Sequence, residues 1–241
     1  MSAEQALCRN SGNSIGVNQM IVDSLDGITL VGGGPVTAAG LARATRHAPR
    51  IVAADGGADR LLRLGARPEA VIGDMDSISP AARAQLHDRL HPVPEQDSTD
   101  FDKCLMRIRA PFILGLGFDG ARVDHGLAVL SGLIRAPDQR CLILGARDVT
   151  FLCPPKLALD LPPGTRLSLF PMGRVNGEST GLRWPIKGLK FAPDRQIGTS
   201  NEATGPLTLR FDAPKMLVIL PVRYLAAVLR GLSLPSPARA R

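Results

Sequence analysis

Four short segments set carboxylates beside small or turn-forming residues: Asp55-Gly56-Gly57, Gly73-Asp74-Met75-Asp76-Ser77, Asp97-Ser98-Thr99-Asp100-Phe101-Asp102 and Arg122-Val123-Asp124-His125. Repeated acids of this kind suit a hard divalent ion, because Mg²⁺ takes a few carboxylate oxygens and fills its other positions with water and substrate phosphates. Asp74 and Asp76 lie two apart, so an extended backbone would turn both to one side. Two carboxylates that close repel unless a cation sits between them. The competing reading is an Asx-type turn, which Gly, Asp and Ser also favour. The pattern points to an enzyme acting on a nucleoside triphosphate.

Other residues carry weaker signals. Asp100 falls in the first turn of an expected helix, where a carboxylate also suits the helix dipole. Asp102 stands three residues after Thr99, the spacing of a capping box, and that accounts for it. Lys103 either reaches a phosphate or is a solvated lysine. Gly32-Gly33-Gly34 would let backbone N–H groups approach phosphates, although it matches neither common phosphate-loop pattern. Arg122 follows the glycine-rich turn 115–120 and suits bidentate phosphate binding. His125, at the start of an expected helix, reads more readily as an ordinary capping or core residue than as a functional one. Ser200 and Asn201 follow Gly198-Thr199, which a turn explains as well, and Trp184, the single tryptophan, defaults to the core.

The elements that must position these residues alternate. Apolar runs at 28–31, 51–54, 70–72, 112–114 and 141–144 read as strands, with helices expected over 36–47, 61–64, 79–90, 101–108 and 124–134. Ser79-Pro80 supplies an N-cap and a proline at the first helical position, and Gly65 a C-terminal stop. Short apolar strands alternating with helices predict an α/β fold with a mostly parallel sheet covered on both faces. Asp55 and Asp74 then fall beyond the carboxyl ends of strands, where open α/β sheets bind ligands. From 149 the runs become short or alternating and are broken by Gly, Pro and Asn, the pattern of a small all-β sandwich. The expected organisation is a loose extension over 1–25, an α/β nucleotide domain over 26–148, a β-sandwich over 149–222, and a tail over 223–241 that begins as a helix.

Composition narrows the classes. The 241 residues are 44% hydrophobic and 21% charged, enough to bury a sizeable core. A net charge of +7 favours anionic ligands. The excess is scattered arginine, and one Tyr and one Trp offer little for base stacking, so nucleic acid is not the expected partner. Cys8, Cys104, Cys141 and Cys153 form no C-x-x-C pair, which argues against zinc and for thiols in a reducing compartment. The first twenty residues lack an apolar signal region and no run is long enough to span a bilayer, so the expectation is a cytoplasmic protein with no membrane partner.

The motifs taken in order resemble the thiamine pyrophosphokinases. They are Asp55-Gly56-Gly57-Ala58, Gly73-Asp74-Met75-Asp76-Ser77-Ile78, Gln96-Asp97-Ser98-Thr99-Asp100-Phe101 with Lys103-Cys104-Leu105, and Gly120-Ala121-Arg122-Val123-Asp124-His125. Thr180-Gly181-Leu182-Arg183-Trp184 and Thr199-Ser200-Asn201-Glu202 resemble that family's substrate motifs, so the likeness spans about 28–220. The resemblance implies an enzyme transferring pyrophosphate from ATP to thiamine with release of AMP. It also implies a homodimer whose active sites combine the nucleotide half of one subunit with the β half of the other. It implies Mg²⁺ on Asp74, Asp76 and Asp100, with Arg122 and Asp124 also catalytic. Gly33, Asp55, Gly56, Gly57, Gln96, Thr99, Lys103 and His125 would line the nucleotide, and Trp184, Ser200 and Asn201 would meet thiamine. This chain departs from the pattern at Ala121, where the family usually has glycine, and at Trp184, where tyrosine is common. The alternatives are a diphosphokinase for another alcohol, such as a pterin, and a non-catalytic nucleotide- or thiamine-binding regulator.

Overall fold

The computed structural model describes residues 19–120 and 122–235. Most of the expected 1–25 extension, Ala121 and the end of the Arg-rich tail therefore lie outside the described residues, as does Cys8. In chain order the elements are β1 (Val22–Asp23), β2 (Ile28–Val31), α1 (Ala38–Thr45), β3 (Arg50–Ala54), α2 (Gly57–Arg63), β4 (Ala70–Gly73), α3 (Pro80–Gln85) and β5 (Leu90–Pro92). There follow α4 (Asp100–Arg107), β6 (Ile108–Arg109), β7 (Ile113–Leu116), α5 (Val123–Arg135) and β8 (Cys141–Leu144). The remainder is β9 (Asp148–Leu152), β10 (Lys156–Leu159), β11 (Thr165–Pro171), β12 (Val175–Leu182), β13 (Lys190–Phe191), β14 (Gly198–Phe211), β15 (Met216–Pro221) and α6 (Leu225–Gly231).

Six strands run parallel in the order β8-β7-β2-β3-β4-β5. β2, β4, β7 and β8 are buried along their whole length because their side chains alternate between two apolar layers. Leu30, Val52 and Ile72 pack with Phe101, Leu105 and Leu133 of α4 and α5. Val31, Ala53 and Val71 pack with Leu41, Leu61 and Ala82 of α1, α2 and α3.

The sheet as a whole is mixed rather than mostly parallel. β9 returns antiparallel to β8 after the turn 145–147, a connection too short for a parallel crossover. From there the hydrogen-bonded path continues without a break through β15, β11, β14, β12 and β13, with β10 also on β14. The parallel and antiparallel strands thus belong to one thirteen-stranded sheet.

Local signals decide several element ends. Ser79 caps α3 by accepting the Ala82 N–H at 3.1 Å, with Pro80 at the first helical position. Gly65, at φ +72°, ends α2, with its N–H on Leu62 and that of Ala66 on Leu61. The helix expected over 79–90 stops early. After Gln85 a single 3₁₀ turn leads into β5, which pairs with β4. At the other end of the expected extension, Val22 is buried and pairs with Ile108. Among the described residues no helix is long and apolar enough to cross a membrane.

Candidate active site

Because β2, β3, β4 and β7 are parallel, the loops that follow them open on one edge of the sheet. A cavity of about 820 Å³ lies there, within the range of small-molecule sites. Its lining includes Gly33, Asp55, Gly56, Asp74, Asp76, Thr99, Asp100, Lys103, Arg122 and His125.

Asp55 directly follows β3, with φ at +38°, a region that side-chain-bearing residues seldom occupy. It is 1% exposed. Its Oδ2 accepts the Ser77 N–H at 2.9 Å, while its Oδ1 is buried without a partner. Burial pushes its carboxyl up to about 6; the Ser77 bond opposes this, and the charges of Asp100 and Asp76 add to it.

Asp74 and Asp76 flank a turn, not an extended segment, because Met75 sits at φ +70°. Arg83 holds that turn by bonding the Met75 carbonyl. The Asp-x-Asp pair adopts the turn that Gly, Asp and Ser favour. The Asp74 Oδ1 accepts the Asp76 N–H at 3.2 Å, as in an Asx turn. Yet Asp55, Asp74 and Asp76 each offer an oxygen within 4.8 Å of the others. This trio contains Asp55 in the place where sequence put Asp100.

Asp100 stands beside the trio. A Cβ at Gly73 would lie 2.8 Å from the Asp55 Cβ and 3.1 Å from the Asp100 Oδ1, so glycine at the end of β4 permits the two acids to approach. Lys103 bridges Asp74 Oδ2 at 2.9 Å and Asp100 Oδ1 at 3.1 Å. It is 1% exposed, so it is not a solvated lysine, and its ammonium is paired with both carboxylates. Its hydrogen bond is the main cause holding the Asp74 carboxyl below its usual range, whereas burial raises that of Asp100. Gln96 adds a donor to Asp74 Oδ2 at 3.2 Å. Thr99 and Asp102 form the expected capping box, and Asp102 also pairs with Arg135.

Arg122 and Asp124 form an exposed two-bond pair at 3.1 and 2.5 Å, which holds the Asp124 carboxyl down to about 2. Arg122 and His125 line the cavity. Gly33 faces open space where a Cβ would meet nothing, whereas a Cβ at Gly57 would strike the Val31 carbonyl at 1.9 Å. Gly57 thus packs against β2.

Trp184, Ser200 and Asn201 are not among the residues that line this cavity. Trp184 is 53% exposed instead of core, with the Arg183 guanidinium 4.9 Å from its ring centre. Asn201 is buried and engaged within the chain. It accepts the Trp184 N–H at 3.3 Å and the Glu202 N–H at 2.8 Å, and donates to the Trp184 carbonyl at 2.8 Å. Ser200 has φ +59°, and its N–H reaches Ser168 Oγ at 3.3 Å.

Asp59, Arg60, Arg63 and Asp119 also line the cavity and were missed by the sequence reading. Arg60 and Arg63, three apart on the helix opened by Asp55-Gly56-Gly57, carried a usable signal. Arg60 donates to the Gly33 carbonyl at 2.9 Å. Asp119, within the turn 115–120, carried none.

A family model described as the thiamin pyrophosphokinase catalytic domain matches residues 41–144. Thiamine pyrophosphokinase 1 of Oryza sativa is 30% identical over 188 residues, 62% of this chain and 70% of the relative. Thiamine pyrophosphokinase 1 of Arabidopsis thaliana is 28% identical over 64% of this chain and 71% of the relative. Among solved structures, the thiamin pyrophosphokinase of Candida albicans superposes with a TM-score of 0.69 at 14% identity, covering 86% of this chain and 94% of that one. The Geobacillus thermodenitrificans structure gives 0.65 at 22% identity, over 81% and 96%. These two structural likenesses speak to the fold.

Proposed function

The chain belongs to the thiamine pyrophosphokinase family, and from that premise we propose that it transfers the terminal pyrophosphate of ATP to the hydroxyethyl group of thiamine, releasing AMP, at the cavity above the parallel strands. The thiamine hydroxyl oxygen attacks the β-phosphorus and releases its proton. The bond from that phosphorus to the α,β-bridging oxygen breaks, and AMP leaves. Such a transfer depends more on positioning and charge neutralisation than on covalent help from the protein.

The observation that carries the reading is the Asp55 Oδ1. It is a buried carboxylate oxygen with no partner, grouped with oxygens of Asp74 and Asp76 within 4.8 Å. A hard oxygen donor set with one orphaned member fits Mg²⁺, held by Asp55, Asp74 and Asp76, with Asp100 beside them. When bound, the ion would neutralise phosphate charge. Arg122, at the cavity rim, is the side chain we assign to a phosphate. Asp124 holds its guanidinium until then. Gly33 offers close backbone approach, and Arg60 braces that loop.

Thiamine recognition we assign to the antiparallel strands beyond residue 149 of a second copy, in a homodimer. Trp184 and Ser200 are not among the residues lining the cavity, and Val123 and Leu127 of α5, the helix that follows Arg122, are 81% and 58% exposed. The buried, unpaired thiols of Cys104, Cys141 and Cys153 suit the cytoplasm, where we place the protein.

Incubation with ATP, Mg²⁺ and either thiamine or a pterin alcohol, assayed for AMP, tests the reading. AMP formed with thiamine alone supports it. AMP with the pterin only, or with neither, rejects it.

A further inference from the structure

An ammonium group is expensive to bury unless it is paired. Lys103 is buried in the midst of the acids that would ligate a divalent ion. Its Nζ lies 2.9 Å from Asp74 Oδ2 and 3.1 Å from Asp100 Oδ1. Gln96 Nε2 covers the same Asp74 oxygen at 3.2 Å. These contacts close one side of the cluster. Neither donor is bonded to the buried, unpartnered Asp55 Oδ1 or to the Asp76 carboxylate, whose Oδ1 already accepts the Ser77 hydroxyl at 2.7 Å. Among the described residues, four carboxylates stand here with one buried cation paired to them: Asp55, Asp74 and Asp76 in the trio, and Asp100 across Lys103.

We propose that Lys103 is a fixed counter-cation that limits this acidic cluster to one divalent ion in the absence of nucleotide, so that any further cation must arrive with the phosphates. The inference rests on the reading that the cluster binds a divalent ion. It follows from charge and geometry. A second ion between Asp74 and Asp100 would need the place that Nζ occupies, and Coulomb repulsion from a charge a few Å away weakens even the first ion. A lysine there also leaves the empty cluster less self-repelling, so the fold tolerates it before metal binds.

Mn²⁺ binding to the full chain without nucleotide, followed by titration and electron paramagnetic resonance, tests this. The wild type is expected to take one Mn²⁺ per chain. K103M, which keeps the length and loses the charge, is expected to take two, or to bind the first at least ~10-fold more tightly. K103R, which keeps the charge, is expected to take one. One ion in K103M at unchanged or weaker affinity overturns the inference while leaving the metal reading intact, as does a wild type that already holds two coupled Mn²⁺. No uptake by the wild type overturns the metal reading and the inference together. Should K103M fail to fold, K103Q carries the same expectations, and the wild-type stoichiometry still decides.

Discussion

Asp55 combines a left-handed backbone, near-complete burial and an oxygen without a partner. Each of these costs the fold something, and such costs gather at functional sites. Its carboxyl titrates near 6 when folded and near 3.8 when unfolded, so the folded state holds the extra proton between those values. Without divalent ions, stability should therefore fall as pH rises from 3.8 through about 6, and stay lower above. Discounted for screening by the open cavity, the loss is on the order of 1–2 kcal/mol. Asp55→Asn keeps an acceptor for Ser77, tolerates positive φ and offers Asp76 a donor. In EDTA at pH 7.5 it should melt higher than the wild type, and with Mg²⁺ it should turn over at least ~10²-fold more slowly. A variant that melts lower in EDTA would show that Asp55 is a structural acid. The acids were legible singly, from Asp beside Gly at strand ends. Their grouping was not, because Asp55 and Asp74 meet only through the pairing of β3 with β4, and the Lys103–Asp74 contact spans 29 residues of sequence.

Helix α4 delivers Asp100 and Lys103 to the cavity, and its start is fixed by Thr99 and Asp102. Thr99 Oγ1 accepts the Asp102 N–H at 3.2 Å, and the Thr99 N–H reaches Asp102 Oδ2 at 3.3 Å. Thr99→Ala should cost about 1 kcal/mol of stability, while Thr99→Ser should recover most of it. If the cap also sets the approach of Asp100, Thr99→Ala should lower kcat and Thr99→Ser should restore it. Equal losses in both would mean that the threonine methyl, not the cap, matters. Thermal melts and steady-state rates on the two variants decide. This element was readable in advance because a capping box is written within four residues. The end of α3 was not, since β5 forms only when β4 offers an edge. The switch at β9 was equally hidden. The change of character near residue 149 was legible, but nothing in residues 145–152 told that β9 would extend the parallel sheet rather than begin another.

At the scale of the molecule, the acids and the candidate thiamine residues lie at different parts of one sheet and its connections, and the residues lining the candidate cavity end at Val129. The proposed homodimer with shared sites would account for that separation, and symmetry gives the proposal a consequence. Two variants, each broken in one half, should complement when they share a dimer. Asp74→Asn removes a carboxylate of the trio. For the other half Trp184→Ala is the better choice than Asn201→Ala, because Trp184 is exposed, whereas Asn201 anchors the backbone on either side of it. Each homodimer should be nearly inactive. Co-expressed with separable tags, half of the dimers would be mixed, and one of the two sites in each would draw both intact halves, giving about a quarter of wild-type turnover. Purified mixed dimers should then show about half. Mixed dimers as inactive as their parents would place both halves of each site within one subunit, and light scattering that reports a monomer with full activity would remove the dimer from the account altogether.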